Sequence, residues 1–303
     1  MSTNTVNTTT TTKSLGQLVK EALGPTEKYT PPTYEELITR AKKYRSNGDM
    51  FNCIKTANEL IIDKGYISDE VFRLIANALI DMDLPYAAEY FINKSYEVSN
   101  SKTALYKNAD VMSRVYYKKG DYVAAISTLL NKRSNSEDPS RENPLLLWYA
   151  TAGEEDSLAS EYASEILKGR TIYECTPYEK KSLVFYDYVF GKLEYRNNQR
   201  LQDEALEALE TEGVDVGPWC YILVFTNYED KDYIVNKFHS QKYFFESSIL
   251  LDQEIPKEFM EYRKSIILDI ASMGNVVLAI DYLRYQWYYL PIRQRMAMGT
   301  FPL

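Results

Sequence analysis

The stretch from Asp69 to Tyr96 reads DEVFRLIANALIDMDLPYAAEYFINKSY and decides the fold class. Its first half places four apolar or small residues at the spacing of one helix face: Phe72, Ile75, Ala76 and Leu79. After a turn at residues 83–85, its second half repeats this spacing with Ala88, Ile92 and Tyr96. The stretch therefore predicts a pair of helices joined by a short turn.

The same layout stands on both sides of this stretch. Upstream, Thr33 and Glu36 form a Thr-x-x-Glu capping box that opens a helix, and a turn at residues 47–49 leads into a second helix. Downstream, another pair turns at residues 120–122. The turns are 35 and 37 residues apart, from 48 to 83 and from 83 to 120. A helix pair that recurs at this length is typical of an α-solenoid.

These helix pairs resemble the tetratricopeptide repeat family. With each turn at position 15 of the family motif, large residues fall at positions 4 and 11 and small residues at positions 8 and 20. The small positions hold Ala41, Ala76 and Ser113, then Cys53, Ala88 and Ala125. Small residues there let paired helices approach closely, while bulky residues fill the space around them. Position 27 departs from the motif, because it holds Leu60, Ser95 and Lys132.

The pattern divides the chain into five segments. Residues 1–13 form a Thr-rich tail that is expected to be disordered. Residues 14–32 hold a short amphipathic helix and a linker, and this helix is expected either to cap the domain or to dock in a partner's groove. Residues 33–168 carry the repeats, residues 169–290 continue them in divergent form, and residues 291–303 form a tail. The resemblance implies an all-α fold, a right-handed α-solenoid.

Two later segments need their own interpretation. Residues 219–226 have the composition of a strand, but an isolated strand would lack a partner, so we predict a buried helix that begins at Gly217-Pro218. Residues 261–291 return to the repeat pattern when Gly274 is placed at position 15. The solenoid is therefore predicted to run almost to the last residue.

Composition argues against most catalytic sites. The 303 residues include one His and 12 Gly, with no Gly-rich phosphate-binding motif and no second imidazole for a two-His metal site. We interpret His239 as an ordinary half-buried helix residue. The widely spaced Cys53, Cys175 and Cys220 are interpreted as small hydrophobic residues in a reducing compartment. The sequence thus predicts a protein that is not an enzyme and that needs no cofactor and no metal.

Net charge and hydropathy limit the classes of partner that we expect. A net charge of −8 opposes direct binding of nucleic acid. No apolar run approaches the roughly 18 residues that span a bilayer, so we expect a soluble, cytoplasmic protein without a membrane span. Residues 203–212 are acidic and leave open an enzyme that uses paired carboxylates. This is the weakest alternative, because a charge run is usually a solvated face.

The tetratricopeptide resemblance implies a concave groove lined by the first helix of each repeat. The groove positions hold six basic residues and one asparagine: Lys42, Arg45, Arg73, Asn77, Lys107, Arg114 and Lys118. Such a surface would favour an extended acidic peptide or a C-terminal carboxylate. Arg73 and Asn77 satisfy only the first part of the family's carboxylate clamp, and Val111 stands where the clamp has a polar residue.

A second candidate surface is the last predicted helix, which is apolar on two faces. The terminal helix of a solenoid needs a polar outer face, so either the chain's own tail or a partner subunit is expected to cover this one. The candidate interface residues are Tyr282, Tyr285, Trp287, Tyr288, Tyr289, Arg293, Arg295, Met296 and Phe301.

These observations together predict a non-enzymatic scaffold for protein–protein interaction, an adaptor or structural subunit of a larger oligomeric assembly. The expected partners are protein subunits or extended peptides, acidic peptides included. The alternative is a transient chaperone or targeting module that binds peptides in the basic groove.

Overall fold

A computed structural model describes residues 31–271, with side chains through Leu268. The described residues form fourteen α-helices and no strand, which confirms the all-α prediction. The helices are α1 (Tyr34–Ser46), α2 (Met50–Ile62), α3 (Asp69–Asp81), α4 (Pro85–Val98), α5 (Lys102–Lys118), α6 (Tyr122–Ser134), α7 (Asn143–Ala152), α8 (Asp156–Leu167), α9 (Pro177–Phe190), α10 (Gln199–Leu209), α11 (Val216–Phe225), α12 (Lys231–Ser240), α13 (Phe244–Leu251) and α14 (Lys257–Ala271). Short 3₁₀ helices, Pro139–Glu142 and Ile172–Glu174, precede α7 and α9.

The predicted helix starts and turns of the first half are confirmed. The capping box at the start of α1 is formed, since the backbone nitrogen of Thr33 donates to Glu36 Oε2 over 2.8 Å and that of Glu36 donates to Thr33 Oγ1 over 3.2 Å. Gly48 and Gly120 adopt φ angles of +73° and +79° in the turns, a left-handed conformation that favours glycine. Asp83 adopts φ +53° at the equivalent place.

Most helices that follow one another in the chain pack together. In addition, the odd-numbered helices meet one another, in the contacts α1 with α3, α3 with α5, α7 with α9, and α9 with α11. The small residues that the sequence placed at motif positions 8 and 20 are all buried: Ala41, Cys53, Ala76, Ala88, Ser113 and Ala125. This burial matches the role that the sequence assigned to them. Residues 219–225 lie in the buried helix α11, as predicted.

Two of the three departures at position 27 have polar partners, whereas the third, Leu60, is buried in the first core. Ser95 is buried, and its hydroxyl is 2.9 Å from both the Asp69 carbonyl and Asn108 Oδ1. Lys132 is buried and forms ion pairs with Asp110 and Glu142. At two of the places where the family motif has a small residue, this chain therefore holds hydrogen bonds and ion pairs between successive helix pairs.

The position of α14 differs from the sequence expectation. The repeat pattern of residues 261–291 suggested a further pair after the preceding repeats, but α14 packs against the first two helix pairs. Met260, Ile266 and Ile267 belong to the same core as Leu37 and Ile75. Helix α14 thus joins residues about 180 to 210 positions earlier in the chain. Residues 272–291 of the predicted last repeat lie outside the described residues.

Polar contacts fix α14 in this place. The Arg263 side chain is fully buried, with Nε donating to the Met82 carbonyl over 2.9 Å and Nη2 donating to the Asp83 carbonyl over 2.7 Å. The Phe51 backbone nitrogen donates to Tyr262 Oη over 2.5 Å. A second core spans α6 to α12, and Tyr116 of α5 packs against both cores. Within residues 31–271, no helix combines the length and the hydropathy that a membrane span requires.

Candidate functional site

A cleft of about 1080 Å³ opens along the odd-numbered helices. Most of its lining residues lie on α5, α7, α9 and α11, and α13 contributes Glu246, Ile249 and Leu250. The residues from α5, α7, α9 and α11 include an aromatic wall of Tyr117, Trp148, Tyr178, Phe185, Tyr221 and Phe225. The fold places these helices around the cleft, because α7, α9 and α11 contact one another in order and Glu246 of α13 comes within 3.8 Å of Lys118 of α5.

The aromatic wall is continuous across three helices. The ring centres of Trp148 on α7 and Phe185 on α9 are 4.4 Å apart, and Phe185 stacks on Phe225 of α11 at 4.9 Å. Tyr221 meets Trp148 edge to face at 5.2 Å. Such rings offer a large apolar contact area at fixed geometry.

Helix α13 contributes an exposed apolar residue to the cleft lining. Ile249 of α13 lines the cleft with 71% of its surface exposed. Glu246, one turn earlier, has a carboxylate oxygen 3.8 Å from Lys118 Nζ of α5. Helix α13 is therefore linked to α5 by an ion pair and presents an apolar side chain at Ile249.

Lys181 of α9 occupies the middle of the aromatic wall. Its Nζ lies 4.1 Å from the Trp148 ring centre and 4.3 Å from the Tyr221 ring centre, within cation–π range. Within residues 31–268, no carboxylate oxygen comes within 4.0 Å of this ammonium. Desolvation by burial lowers the pKa of Lys181 to about 8, and Glu246 offsets only part of that effect.

Replacement of Lys181 is expected to stabilise the fold. Because the pKa is lower in the folded state than the ~10.4 of a free lysine, the unfolded state binds more protons between about pH 8 and 10, so stability rises with pH in that window. Lys181→Met should raise the free energy of unfolding at pH 7 by about 1–2 kcal/mol and reduce the rise above pH 8. Urea unfolding at pH 7 and pH 10 measures both effects. The control is Lys55→Met at an exposed site of α2, and a loss of stability at pH 7 would contradict the expectation.

Most residues of the predicted basic groove are paired with acidic residues of the same surface. Arg45 and Arg114 both bind the Asp81 carboxylate, at 2.7 and 3.3 Å. Arg114 also donates to Asn77 Oδ1 over 2.9 Å. The remaining ion pairs are Lys42 with Glu70, Arg73 with Asp69, and Lys118 with Asp83 and Glu246.

These ion pairs limit the ligands that the predicted groove can bind. An acidic peptide would have to displace these internal carboxylates before it could bind the same cations. Of the seven predicted residues, Arg114 and Lys118 line the cleft, and Lys107 is exposed on α5. The motif positions that predicted the groove do not include the acidic residues that pair with its cations. Two of these acidic residues, Asp69 and Asp81, nevertheless lie in one of the repeats that supply the groove. The groove stays a prediction, and the nine interface residues between Tyr282 and Phe301 lie outside the described part of the chain.

The histidine has the environment that the sequence indicated. His239 is half-buried on α12, and burial lowers its pKa. Its Nε2 lies 2.9 Å from Ser247 Oγ, but Ser247 is only 1% exposed and its hydroxyl donates to the Phe244 carbonyl over 3.0 Å. Because this serine is buried and its hydroxyl already donates a hydrogen bond, it is poorly placed to attack a substrate.

The cysteines are buried and free, as interpreted from the sequence. Burial raises the pKa of Cys53 and Cys220 to about 12 and also raises that of Cys175. Their thiols are therefore protonated near neutral pH and act as packing groups. In the described part of the chain, no three His, Cys, Asp or Glu side chains are grouped so that they could hold a metal ion.

Similarity to known proteins does not indicate a function for this chain, so the cleft is the main guide to function. No family model matches the chain, and no significant similarity to a curated protein or to a solved structure was found.

Proposed function

We propose that this protein is a non-enzymatic adaptor or structural subunit, built as a tetratricopeptide-like α-solenoid, that holds a segment of a partner protein in the aromatic cleft. It acts as an interaction scaffold in a larger assembly. The solenoid proposal is supported by the recurring helix pairs, the contacts between odd-numbered helices and the buried small residues at motif positions 8 and 20.

The observation that carries the proposal is the apolar character of the open cleft. Its volume slightly exceeds that of small-molecule pockets, which are about 300–1,000 Å³, and its lining residues come mainly from α5, α7, α9, α11 and α13. Aromatic residues in such a surface are the residue types that dominate binding energy at protein interfaces. Ile249 lines the cleft and is 71% exposed among residues 31–268, so its side chain is accessible to a partner that enters the cleft.

The ion pairs favour binding in the cleft over binding in the predicted basic groove. A partner that enters the cleft keeps the pairs around Asp81 intact and buries aromatic surface. A partner in the groove would gain new ion pairs only by breaking existing ones.

Two variants with equally exposed sites test the proposal. Ile249→Glu places a charge in the cleft, while Val123→Glu places the same charge on α6 outside it, and the two native residues are 71% and 72% exposed. Both variants should fold, because neither residue belongs to a core. We expect the wild-type protein and Val123→Glu to co-purify with the same partner from the cells that make it, and Ile249→Glu to lose at least nine tenths of that partner.

Light scattering on the purified samples completes this test. The wild type is expected in a complex larger than its 35.2 kDa mass, and Ile249→Glu is expected at the mass of the free chain. Equal recovery of the partner by both variants would contradict the cleft as the binding site. A wild-type protein that is always monomeric and has no partner would contradict the scaffold function itself.

A further inference from the structure

Lys181 is a cleft cation with no carboxylate partner among residues 31–268, and its Nζ contacts the rings of Trp148 and Tyr221. The neighbouring Lys180 is instead buried in an ion pair with Glu204. The other cations that line the cleft are paired with carboxylates or, in the case of Arg141, exposed to solvent. The paired ones are Arg114 with Asp81, Lys118 with Asp83 and Glu246, and Lys119 with Glu89 at 2.8 Å.

We propose that Lys181 is the anion-recognition residue of the cleft and that the cleft selects a partner peptide with a carboxylate next to aromatic or aliphatic side chains. This inference rests on the proposed function, since it names the chemistry of the partner segment that enters the same cleft.

The surroundings of Lys181 explain why a carboxylate is favoured. Cation–π contacts engage the charge of the ammonium but supply no oxygen acceptor, so its three N–H donors are left to water or to a ligand. A carboxylate that replaces this water gains a charge-assisted hydrogen bond beside apolar rings, where screening is weaker than in bulk water. The side chains on either side of the carboxylate would pack on the cleft rings that are partly or fully exposed, Tyr178, Phe185 and Tyr221.

The charges around the cleft argue against a polyanion. Glu246 and Asp215 both lie close enough to act on Lys181, and the chain as a whole carries a net charge of −8. A single carboxylate matches the Lys181 ammonium, whereas a nucleic acid would bring many phosphates against these acidic groups.

Binding should depend on pH in a way that identifies Lys181. The charged groups whose electrostatic influence reaches it are Glu246 on α13, Asp215 at the start of α11, and Lys118 and Arg114 on α5, and Tyr221 of α11 lies against it. Burial raises the pKa of Tyr221 well above its usual value, so this phenol stays neutral over the tested range. Because the pKa of Lys181 in the free protein is about 8, affinity for a carboxylate should be level near pH 7 and fall up to tenfold per pH unit well above pH 8.

The test uses two synthetic nine-residue peptides that are acetylated and amidated. One has a central aspartate flanked by phenylalanine and leucine, and the matched peptide has asparagine in its place. Affinities are measured by calorimetry for the wild type, Lys181→Met, Lys181→Arg and the distant control Lys55→Met. We expect the wild type and Lys55→Met to bind the aspartate peptide at least tenfold more tightly at pH 7, the effect of one charge-assisted hydrogen bond.

The substituted proteins separate charge from packing. Lys181→Met should bind both peptides with the affinity that the wild type has for the asparagine peptide. Lys181→Arg should keep the preference for aspartate at pH 9.5, where the wild type should have lost most of it, because a guanidinium does not titrate in this range.

Two results would overturn the inference, and they differ in what they mean for the proposed function. If the wild type binds both peptides with equal affinity and Ile249→Glu abolishes that binding, the cleft docks peptides but Lys181 does not select a carboxylate. If neither peptide binds the wild type, the selection of a carboxylate next to apolar side chains is overturned, and the co-purification experiment with Ile249→Glu alone decides the scaffold function.

Discussion

Lys132→Met is expected to lower the free energy of unfolding by about 3–5 kcal/mol, the effect of removing one partner from a buried ion pair. Lys132 Nζ lies 3.0 Å from Glu142 Oε2 and 4.4 Å from the centre of the Tyr106 ring, and Glu142 is only 2% exposed. Burial by itself lowers the pKa of Lys132, but the carboxylates of Asp110 and Glu142 outweigh burial and raise it. The substitution would leave the Glu142 charge in the interior with Tyr106 Oη as its remaining partner, at 2.7 Å.

A second substitution provides the control. Glu142→Gln in the same chain removes the stranded charge while keeping an acceptor for the Tyr106 hydroxyl, so the double variant should recover most of the loss. Chemical denaturation at pH 7 measures all three proteins. A loss below about 1 kcal/mol in Lys132→Met, as is typical of surface pairs, would show that the pair is not buried as described.

Arg263→Met is expected to have an effect of similar size, about 2–4 kcal/mol, since it strands the buried carbonyls of Met82 and Asp83. These carbonyls end α3 and form the turn before α4, so the guanidinium fastens α14 to the second helix pair. Methionine keeps much of the side-chain volume, and the loss therefore reports on the hydrogen bonds rather than on a cavity.

The effect of Arg263→Met should also be local. Limited proteolysis is expected to cut the variant within α14 before the rest of the chain, because only the contacts of that helix are weakened. Lys264→Met is the matched control, since the adjacent Lys264 is more exposed and its ion pair with Glu261 is a surface pair at 4.0 Å. Equal protection of α14 in Arg263→Met and in the wild type would contradict the role given to Arg263.

The sequence predicted those parts of the fold that depend on local periodicity. The capping box at Thr33 and the turns at Gly48 and Gly120 are set by residues within one repeat, and the structure has each of them. The position of α14 could not be predicted in this way. Its contacts, such as Tyr262 with Phe51, join residues 211 positions apart, and a pattern that repeats within each helix pair does not relate residues so distant in the sequence.

The candidate site was less predictable than the fold. The basic groove was inferred from single positions, whereas its charge depends on carboxylates such as Asp81 that reach across from a neighbouring helix. The cleft residue Lys181 is adjacent to Lys180 in the sequence. The sequence alone does not show that Lys180 is buried against Glu204 while Lys181 faces aromatic rings. Burial and pairing of this kind arise from tertiary contacts between α7, α9, α10 and α11.

Site-specific photo-cross-linking shows whether a partner binds in the cleft. A photoreactive amino acid is placed at position 249 in one sample and at position 123 in the other, two sites of equal exposure inside and outside the cleft. After irradiation in the cells that make the protein, we expect a discrete adduct from position 249 with a peptide that has a carboxylate beside apolar residues, and none from position 123. An adduct from position 123 without one from position 249 would contradict the claim that the cleft is the partner-binding site.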